Sequence, residues 1–304
     1  MASIVVFGSL NMDQSIELEA LPGPGETVMA KSMRHTPGGK GANQAVSAAR
    51  MRGSVAFVGC VGQDEHGQTM VSRLKAEGID TSHIAAVPET PTGLAVVAVD
   101  ARGQNSIMVV PGANYATGTK QFEALDAVLN ENSTLVAQLE LPHAHVGRAL
   151  KLAKDRGART VLNAAPAADV TAMLADVDVL VVNEPEAESL AGIAVTDLET
   201  AEQAALKLHT EFDSAVIVTC GEAGSVTCEN QITTKIPPFP VTAVDTVGAG
   251  DAFVGALVVA LDENRELNDA ARLASAAGAA AATKVGAQDA LPRREELAEL
   301  FGVR

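Results

Sequence analysis

Short runs of consecutive apolar residues recur along the chain, and stretches with a helical spacing of apolar positions separate them. The apolar runs cover residues 4–7, 55–58, 135–139, where Gln138 is the one polar residue, 179–182 and 215–218. The helical stretches cover residues 43–51, 67–77, 143–156 and 201–211. Continuous apolar runs are typical of strands that are buried on both faces by helices. The alternation therefore predicts an α/β fold with a mostly parallel sheet and right-handed crossovers.

Two segments interrupt this alternation. Residues 14–37 contain the turn formers Pro22-Gly23-Pro24-Gly25 and then a stretch without helical period. Residues 92–111 are typical of a β-hairpin, with strands at 94–100 and 106–110 and a turn at 101–103. We expect these two segments, although far apart in sequence, to pair into a small separate sheet.

Length and composition narrow the class of protein. The chain has 304 residues, of which 47% are hydrophobic and 20% charged, so it is not a disordered chain. Its formal net charge of −16 repels nucleic acid and anionic membrane surfaces over most of its area. A small phosphate ligand is still compatible with that charge, because backbone N–H groups can form a local anion site.

The cysteines and the first residues of the chain indicate in which cellular compartment the protein works. Cys60, Cys220 and Cys228 are odd in number and have no C-x-x-C spacing, which argues against a disulfide framework or a zinc site. We find no run of about 18 consecutive apolar residues. The first residues also lack the basic segment of a signal peptide. We predict a cytoplasmic protein that binds neither nucleic acid nor membrane.

A glycine-containing motif, DTVGAGD, covers residues 245–251. A strand-like lead-in at 241–244 runs into Gly248-Ala249-Gly250, and a helical pattern follows. Backbone N–H groups that converge at a helix start, with the helix dipole behind them, form an anion site. Asp251 in the first turn is suited to take a proton beside that anion. The same aspartate could equally be a helix-start residue that interacts only with the dipole.

A second motif, GGKGANQ, covers residues 38–44. Its glycines open a predicted helix that carries small residues on one face, so the backbone can approach another element or a ligand closely. It is not a Walker A loop, because Gly41 follows Lys40 where that motif requires Ser or Thr. Such a helix start could also serve packing alone.

Polar residues follow several of the predicted strands. Asn11-Met12-Asp13 comes after the first apolar run, Glu140 after the third, and Asn183-Glu184-Pro185-Glu186 after the fourth. The carboxyl ends of strands form the ligand-binding edge of open α/β sheets. Each group could be a cap by itself, but their coincidence at one sheet edge predicts a binding site.

Both motifs, about 200 residues apart, resemble the two signatures of the ribokinase-type, or PfkB, carbohydrate kinase family. The resemblance extends over nearly the whole chain. It implies a three-layer α/β/α sandwich with a mostly parallel central sheet plus a small β-sheet lid. The single domain would span residues 1–304, with the lid built from about 14–37 and 92–111. The resemblance also implies a homodimer through the lids.

The resemblance further implies the reaction. Within the family, Asn11-Met12-Asp13 with GGKGAN favours the branch that phosphorylates ribose over the fructose, adenosine and tagatose-phosphate branches. ATP would phosphorylate the 5-hydroxyl of D-ribose and yield ribose 5-phosphate and ADP. Asp251 would accept the hydroxyl proton, and the N–H groups of Gly248, Ala249 and Gly250 would stabilise charge on the transferred phosphoryl group.

Four sets of binding residues follow from the same resemblance. Ribose would be bound by Asn11, Asp13, Gly38, Gly39, Lys40, Asn43, Glu140 and Asp251. ATP would be bound by Asn183, Thr219, Gly221, Gly224, Gly250 and Ser275. Mg²⁺ or another divalent cation would be held, mostly through water, by Asn183 and Glu186. K⁺ would be held by Asp245, Val247, Ala281, Lys284, Gly286 and Ala290.

Three of these positions depart from the family pattern. Ser275 stands where an Asn is expected near the adenine, and Lys284 replaces an Arg. Ala290 stands where a Ser hydroxyl can be a cation ligand. Because most ligands of the monovalent cation are backbone carbonyls, we expect the replacement of Arg by Lys284 to matter little, and potassium activation is our hypothesis.

Other functions remain compatible with parts of the sequence. A related family kinase could act on deoxyribose, a nucleoside or another sugar, and Asp13 would discriminate, because a 2-deoxy sugar offers it one hydroxyl fewer. A non-catalytic sugar-binding protein could keep the fold, but the retained Asp251 and Gly-Ala-Gly turn argue against it. A dinucleotide-dependent oxidoreductase lacks support, because no G-x-G-x-x-G follows the first strand.

Overall fold

The computed structural model describes residues 2–102 and 104–303 and contains two sheets flanked by helices. Its strands are β1 (Ile4–Phe7), β2 (Asn11–Glu17), β3 (Ser32–Gly38), β4 (Val55–Gly62), β5 (Asp80–Val87), β6 (Gly93–Val99), β7 (Asn105–Val110), β8 (Thr134–Ala137), β9 (Arg159–Asn163), β10 (Val179–Asn183), β11 (Ala215–Thr219), β12 (Ser225–Glu229) and β13 (Ile232–Ile236). Its helices are α1 (Lys40–Arg50), α2 (Glu65–Ala76), α3 (Thr119–Val128), α4 (His143–Asp155), α5 (Glu184–Ala191), α6 (Leu198–Phe212), α7 (Ala249–Asp262), α8 (Leu267–Ala282) and α9 (Arg294–Phe301).

The large sheet has nine strands in the order β13-β12-β11-β10-β9-β8-β1-β4-β5. Its strands from β11 to β5 are parallel, and β12 and β13 are antiparallel. All five apolar runs became parallel strands, which confirms the predicted mostly parallel sheet. The β12–β13 hairpin was not predicted. It turns at Asn230 and Gln231, whose φ values of 52° and 63° suit a tight hairpin turn.

The large sheet separates two apolar cores. Alternate residues of β1 point to opposite faces, as strand geometry requires. Ile4 and Val6 pack with side chains from α1, α2, α7 and α8. Val5 and Phe7 pack with side chains from α3, α4, α5 and α6. This arrangement is the three-layer α/β/α sandwich expected from the sequence.

The second sheet combines the two segments that interrupted the sequence pattern. Its order is β3-β2-β6-β7, in which β2 pairs antiparallel with β3 and parallel with β6. The sheet begins at Asn11, so it starts directly beside the large sheet. The turn predicted at residues 101–103 includes Gly103, which lies outside the described residues. That this sheet acts as a lid remains a prediction.

The predicted lead-in strand at residues 241–244 is wrong. This segment forms irregular chain that follows the proline-rich residues 237–240. The backbone N–H of Val244 instead donates to the Ala282 carbonyl at the end of α8. The segment is therefore tied to a helix end rather than to the sheet.

Two further features follow from the described residues. Cys60, Cys220 and Cys228 are buried and form no disulfide. Across residues 2–102 and 104–303, we find no helix with both the length and the apolar character to span a membrane.

Candidate active site

The polar residues predicted at strand ends converge at the carboxyl edge of the large sheet, where the second sheet begins. Asn11 Nδ2 lies 3.4 Å from Glu140 Oε2, although 129 residues separate them. The N-termini of α1 and α7 point to the same place, where Asn43 Nδ2 donates to Asp251 Oδ2 at 2.8 Å. The structure thus brings both sequence motifs into one site.

Glycines in the first motif allow α1 to begin close to the chain that follows β1. Gly39 has φ 87° and forms the N-cap of α1, a backbone conformation that favours glycine. A Cβ on Gly39 would lie 2.8 Å from the Asn11 nitrogen, and one on Gly41 would lie 2.5 Å from the Ser9 nitrogen. Larger residues at these two positions would push the helix start away from the site.

Three donors fix the Glu140 carboxylate. Its Oε2 accepts hydrogen bonds from Ser9 Oγ at 2.5 Å, from the Lys40 backbone N–H at 3.0 Å and from Asn11 Nδ2. Its Oε1 has no partner among the described residues and remains able to accept a ligand hydroxyl. Ser9 was not a predicted site residue, because a serine after a strand carries no motif of its own.

Asn114 is a second residue that the sequence did not reveal. It is buried in the short 3₁₀ helix of residues 112–116, and its Oδ1 accepts a hydrogen bond from the Leu10 backbone N–H at 2.9 Å. Its Nδ2 donates to Asn11 Oδ1 at 2.7 Å. The Asn11 amide therefore has a fixed orientation, with Nδ2 directed toward Glu140.

Asp13 lies over Gly38 on the neighbouring strand of the second sheet. A Cβ on Gly38 would overlap the Asp13 carboxylate, so glycine is required there. Burial and the charges of Glu140 and Asp251 together raise the pKa of Asp13 to about 7, against the opposing charge of Lys40. Asp13 is thus a carboxyl group whose protonation changes near neutral pH.

Lys40 carries a positive charge among several carboxylates. Burial by itself would lower the pKa of its ammonium, but Asp251, Glu140, Glu186 and Asp13 together hold that pKa above its ordinary value. Lys40 therefore stays charged. An arrangement of one ammonium among carboxylates suits a ligand that offers many hydroxyl donors.

Asp251 occupies the first turn of α7 and is only 8% exposed. Its Oδ2 accepts from Asn43 and its Oδ1 accepts from Gln44 Nε2 at 3.0 Å. Burial raises the pKa of Asp251, and Lys40 and the two amide hydrogen bonds act in the opposite direction. A buried carboxylate with a raised pKa is suited to accept a proton from an alcohol.

The turn before Asp251 exposes backbone donors. Gly248 has φ 79° and forms the N-cap of α7. Among the described residues, the N–H groups of Gly248, Gly250 and Asp251 have no hydrogen-bond acceptor, and Gly250 faces open space. Ala249 differs from the prediction, because its N–H donates to the Thr246 carbonyl at 3.2 Å. The anion site therefore depends on the glycine N–H groups.

The predicted nucleotide residues occupy two places. Thr219 ends β11, and Gly221 and Gly224 follow in one turn with φ values of 49° and 106°. A Cβ on Gly221 would come 4.0 Å from Glu184 Oε1, so this turn lies beside the start of α5. Ser275 lies half-buried on α8, and no hydrogen bond within the described residues joins it to that turn.

Asn183 and Glu186 form a reciprocal capping box at the start of α5. Asn183 Oδ1 accepts from the Glu186 backbone N–H, and Glu186 Oε2 accepts from the Asn183 backbone N–H, both at 3.0 Å. No group of three or more His, Cys, Asp or Glu residues within the described ranges could enclose a metal ion. The remaining oxygens fit a divalent cation that keeps its water ligands, as Mg²⁺ prefers.

The predicted monovalent-cation residues lie in two adjoining loops and, for Ala281, at the end of α8. Asp245 Oδ1 accepts from the Val247 N–H at 3.0 Å, and its Oδ2 accepts from the Gly286 N–H at 2.9 Å. The Lys284 N–H donates to the Ala281 carbonyl at 3.1 Å, while its ammonium pairs with Glu296. Ala290 is buried beside this loop. Backbone carbonyl oxygens such as those in these segments are suitable ligands for an alkali cation.

Comparison with known proteins places this site in a family context. A ribokinase from Haemophilus influenzae is 38% identical over 98% of both chains. A deoxyribokinase from Salmonella typhi is 33% identical over 99% of both chains. The solved structure of Arabidopsis thaliana ribokinase complexed with ribose and ATP has 31% identity and a TM-score of 0.87 over 98% of both chains.

Residues 1–294 match the pfkB family of carbohydrate kinases. The match includes both motifs, which meet at Asp251, and it confirms the resemblance drawn from the sequence. The chain belongs to the pfkB carbohydrate kinase family.

Proposed function

We propose that this chain transfers the γ-phosphoryl group of ATP to the 5-hydroxyl of D-ribose and releases ribose 5-phosphate and ADP. The observation that carries the proposal is the Asp251 carboxylate, which is buried beside Asn43 and preceded by glycine N–H groups without a hydrogen-bond partner in the described part of the chain. This combination offers a proton acceptor and an anion site within one helical turn. The similarity to ribokinases along nearly the whole chain supports ribose as the acceptor.

The sugar contacts follow from the orientation of the fixed side chains. Glu140 Oε1 and the Asp13 carboxylate accept hydrogen bonds from ring hydroxyls, while Lys40 and the Asn11 and Asn43 amides donate. Glycines 38 and 39 let the sugar approach the backbone. A deoxy sugar would leave one of the buried acceptors unpaired, which is costly in a site of this kind.

Phosphoryl transfer passes through a loose transition state, so positioning and charge stabilisation dominate catalysis. Asp251 accepts the proton of the attacking 5-hydroxyl. The N–H groups of Gly248 and Gly250 donate to the oxygens of the transferred group, where negative charge is concentrated. ATP lies along the turn of Thr219, Gly221 and Gly224 toward α8, with Ser275 near its base.

Cations complete the site in this proposal. Asn183 and Glu186 would hold a divalent cation through its water ligands, and the bound ion would supply positive charge for the ATP phosphates. The backbone carbonyls and the carboxylate near Asp245 and Gly286 would hold a potassium ion. A cytoplasmic location remains a prediction from the sequence.

The second candidate substrate is 2-deoxyribose, since a deoxyribokinase from Salmonella typhi is also similar over nearly the whole chain. The decisive group is Asp13, which can pair with two hydroxyls of ribose but with fewer of the deoxy sugar. The two sugars must therefore be compared directly.

We expect the wild-type protein to prefer ribose when ATP turnover is measured with ribose, 2-deoxyribose, fructose and adenosine. Each of the four compounds is tested in potassium buffer and in sodium-only buffer, and potassium should raise turnover. A preference for 2-deoxyribose would contradict the assigned substrate but retain the kinase. Equal rates in both buffers would contradict the potassium site.

Asp251→Asn should lower turnover by at least about 100-fold, because the amide cannot accept the proton. Ribose binding, measured by calorimetry, should change little, since the side-chain shape is retained. Asp262→Asn at the other end of α7 is the matched control and should turn over normally. Near-normal turnover of Asp251→Asn would refute the assigned base.

Ribose affinity should fall as the pH drops, because Asp13 has a pKa of about 7 and binds hydroxyls best when ionised. A carboxyl with a raised pKa is protonated below that value, so binding should be about tenfold weaker at pH 6 than at pH 8. Calorimetric titrations at several pH values measure this. Asp13→Asn should remove most of this pH dependence. If ribose affinity in that variant still fell with pH as in the wild type, a group other than Asp13 would be responsible.

We further propose that the second sheet joins two copies of this chain. The edge strand β7 pairs only with β6, and Ile107, Met108, Val109 and Val110 are each about half exposed. An apolar edge strand with both faces exposed favours association. A second copy supplies the same edge and can cover it by a symmetric contact.

Ile107→Glu should convert a dimer into a monomer, because a buried charge at this edge would be unpaired. Ile107 is 57% exposed in the single chain, and Ile232 at the far edge of the large sheet is 67% exposed. Ile232→Glu is therefore the control and should remain dimeric. Sedimentation velocity measures both, and a monomeric wild-type protein would contradict the proposal.

A further inference from the structure

Three buried amide side chains form a network behind Asp251. Gln44 lies on α1 and is 1% exposed, Gln138 directly follows β8, and Asn163 ends β9. None of the three was a predicted site residue. Gln138 and Asn163 lie at one edge of the sheet because β8 and β9 pair side by side. The positions of these two amides are therefore determined by the fold of the sheet.

Both the nitrogen and the oxygen of the Gln44 side-chain amide form hydrogen bonds within this network. Its Nε2 donates to Asp251 Oδ1 and to Asn163 Oδ1, both at 3.0 Å. Its Oε1 accepts from Gln138 Nε2 at 2.6 Å. A flipped amide would place Oε1 against two oxygens, so the hydrogen bonds determine the orientation.

The outer members of the network are themselves fixed. Asn163 Nδ2 donates to the Val181 carbonyl at 3.2 Å, which directs Asn163 Oδ1 toward Gln44. Gln138 packs over Gly8, where a Cβ would lie 2.5 Å from Gln138 Oε1. The Val181 carbonyl of β10 thus orients Asn163, and the Asn163 oxygen in turn orients the Gln44 N–H groups.

The Asp251 carboxylate receives one amide donor on each oxygen, from Asn43 on Oδ2 and from Gln44 on Oδ1. Two donors on two oxygens prevent rotation of the carboxylate about its Cβ–Cγ bond. Asn43 is a predicted sugar contact, whereas Gln44 lies behind the carboxylate and is shielded from the site.

We propose that Gln44 is a positioning residue for the phosphoryl-transfer reaction: its amide fixes the plane of the Asp251 carboxylate, and Gln138 and Asn163 fix the amide. The inference rests on the proposed role of Asp251 as the base. Gln44 does not touch the sugar, so its contribution is to turnover rather than to sugar binding.

The charged groups around Asp251 set the sign of the expected pH effect. Lys40 on α1 stabilises the ionised carboxylate, and Glu140 after β8 and Asp13 on β2 oppose ionisation or compete for the same lysine. The Gln44 N–H stabilises the ionised form as well. Its removal should therefore move the acidic limb of the kcat profile to higher pH.

Gln44→Met tests the proposal, because it keeps the length of the side chain and removes the donor. We expect kcat for ribose at pH 7 to fall by about ten- to a hundredfold while the KM for ribose changes by less than about threefold. The acidic limb should move up by about one pH unit. Thermal unfolding and circular dichroism establish that the variant is folded.

Gln44→Glu is the second variant, in case the methionine disrupts the network. Its carboxylate still accepts from Gln138, but its other oxygen faces Asp251 Oδ1, and two adjacent buried carboxyls share a proton near neutral pH. The acidic limb should therefore move in the same direction and further than in Gln44→Met.

Ser47→Ala is the matched control on the same pair of helices. Ser47 Oγ donates to the Ala252 carbonyl at 3.0 Å, so this variant loses a buried hydrogen bond between α1 and α7 without altering Asp251. Its stability should fall, while its kcat and pH profile stay unchanged. An equal loss of kcat in Ser47→Ala would overturn the proposal, as would an unshifted profile in both Gln44 variants.

A titration without substrate separates this inference from the proposed function. The carboxyl carbon signals of ¹³C-labelled aspartate report the ionisation of Asp251, which is identified by its absence in Asp251→Asn. The Asp251 titration should shift to higher pH in both Gln44 variants. If wild-type protein turned over no ribose, the proposed function would fail, and this titration would still decide whether Gln44 controls Asp251.

Discussion

The close crossing of α1 and α7 is the contact on which the site depends. A Cβ on Gly255 of α7 would overlap the Ser47 side chain of α1, so the close crossing depends on the small size of the residues there. Small residues thus let the two helices approach until their N-termini meet. Because N-terminal N–H groups and helix dipoles favour negative charge, the meeting point suits a buried carboxylate and a phosphate group.

The burial of Asp251 is the electrostatic consequence of that crossing. A carboxylate removed from water is unfavourable unless donors replace the lost hydration. Here Asn43 and Gln44 supply those donors, and Lys40 supplies the opposite charge. All three lie on α1, so the helix that begins with the glycine motif determines the protonation of the aspartate in the other motif.

The second sheet brings its own part of the site to this crossing. Asp13 lies on β2 of the second sheet, whereas Glu140 follows β8 of the large sheet and Asp251 lies on α7. Burial and the charges of Glu140 and Asp251 raise the pKa of Asp13. Asn114, in the 3₁₀ helix of residues 112–116, holds Leu10 and Asn11 at the start of β2 by hydrogen bonds. A ligand whose hydroxyls reach both Asp13 and Glu140 would therefore bridge the two sheets.

The sequence by itself determined five of the seven parallel strands, most of the helices and the two motifs, because these depend on local periodicity and on glycines at helix starts. It wrongly predicted a strand at residues 241–244, because local apolar character does not reveal that the Val244 N–H donates to the distant Ala282 carbonyl. Nor does it reflect that the preceding prolines lack N–H groups. Ser9, Asn114, Gln138 and Asn163 carry no motif, and each acts through a partner that lies far away in the sequence. Only the tertiary structure decided which polar groups surround Asp251, because the pairing of buried donors and acceptors depends on how strands and helices meet rather than on neighbours along the chain.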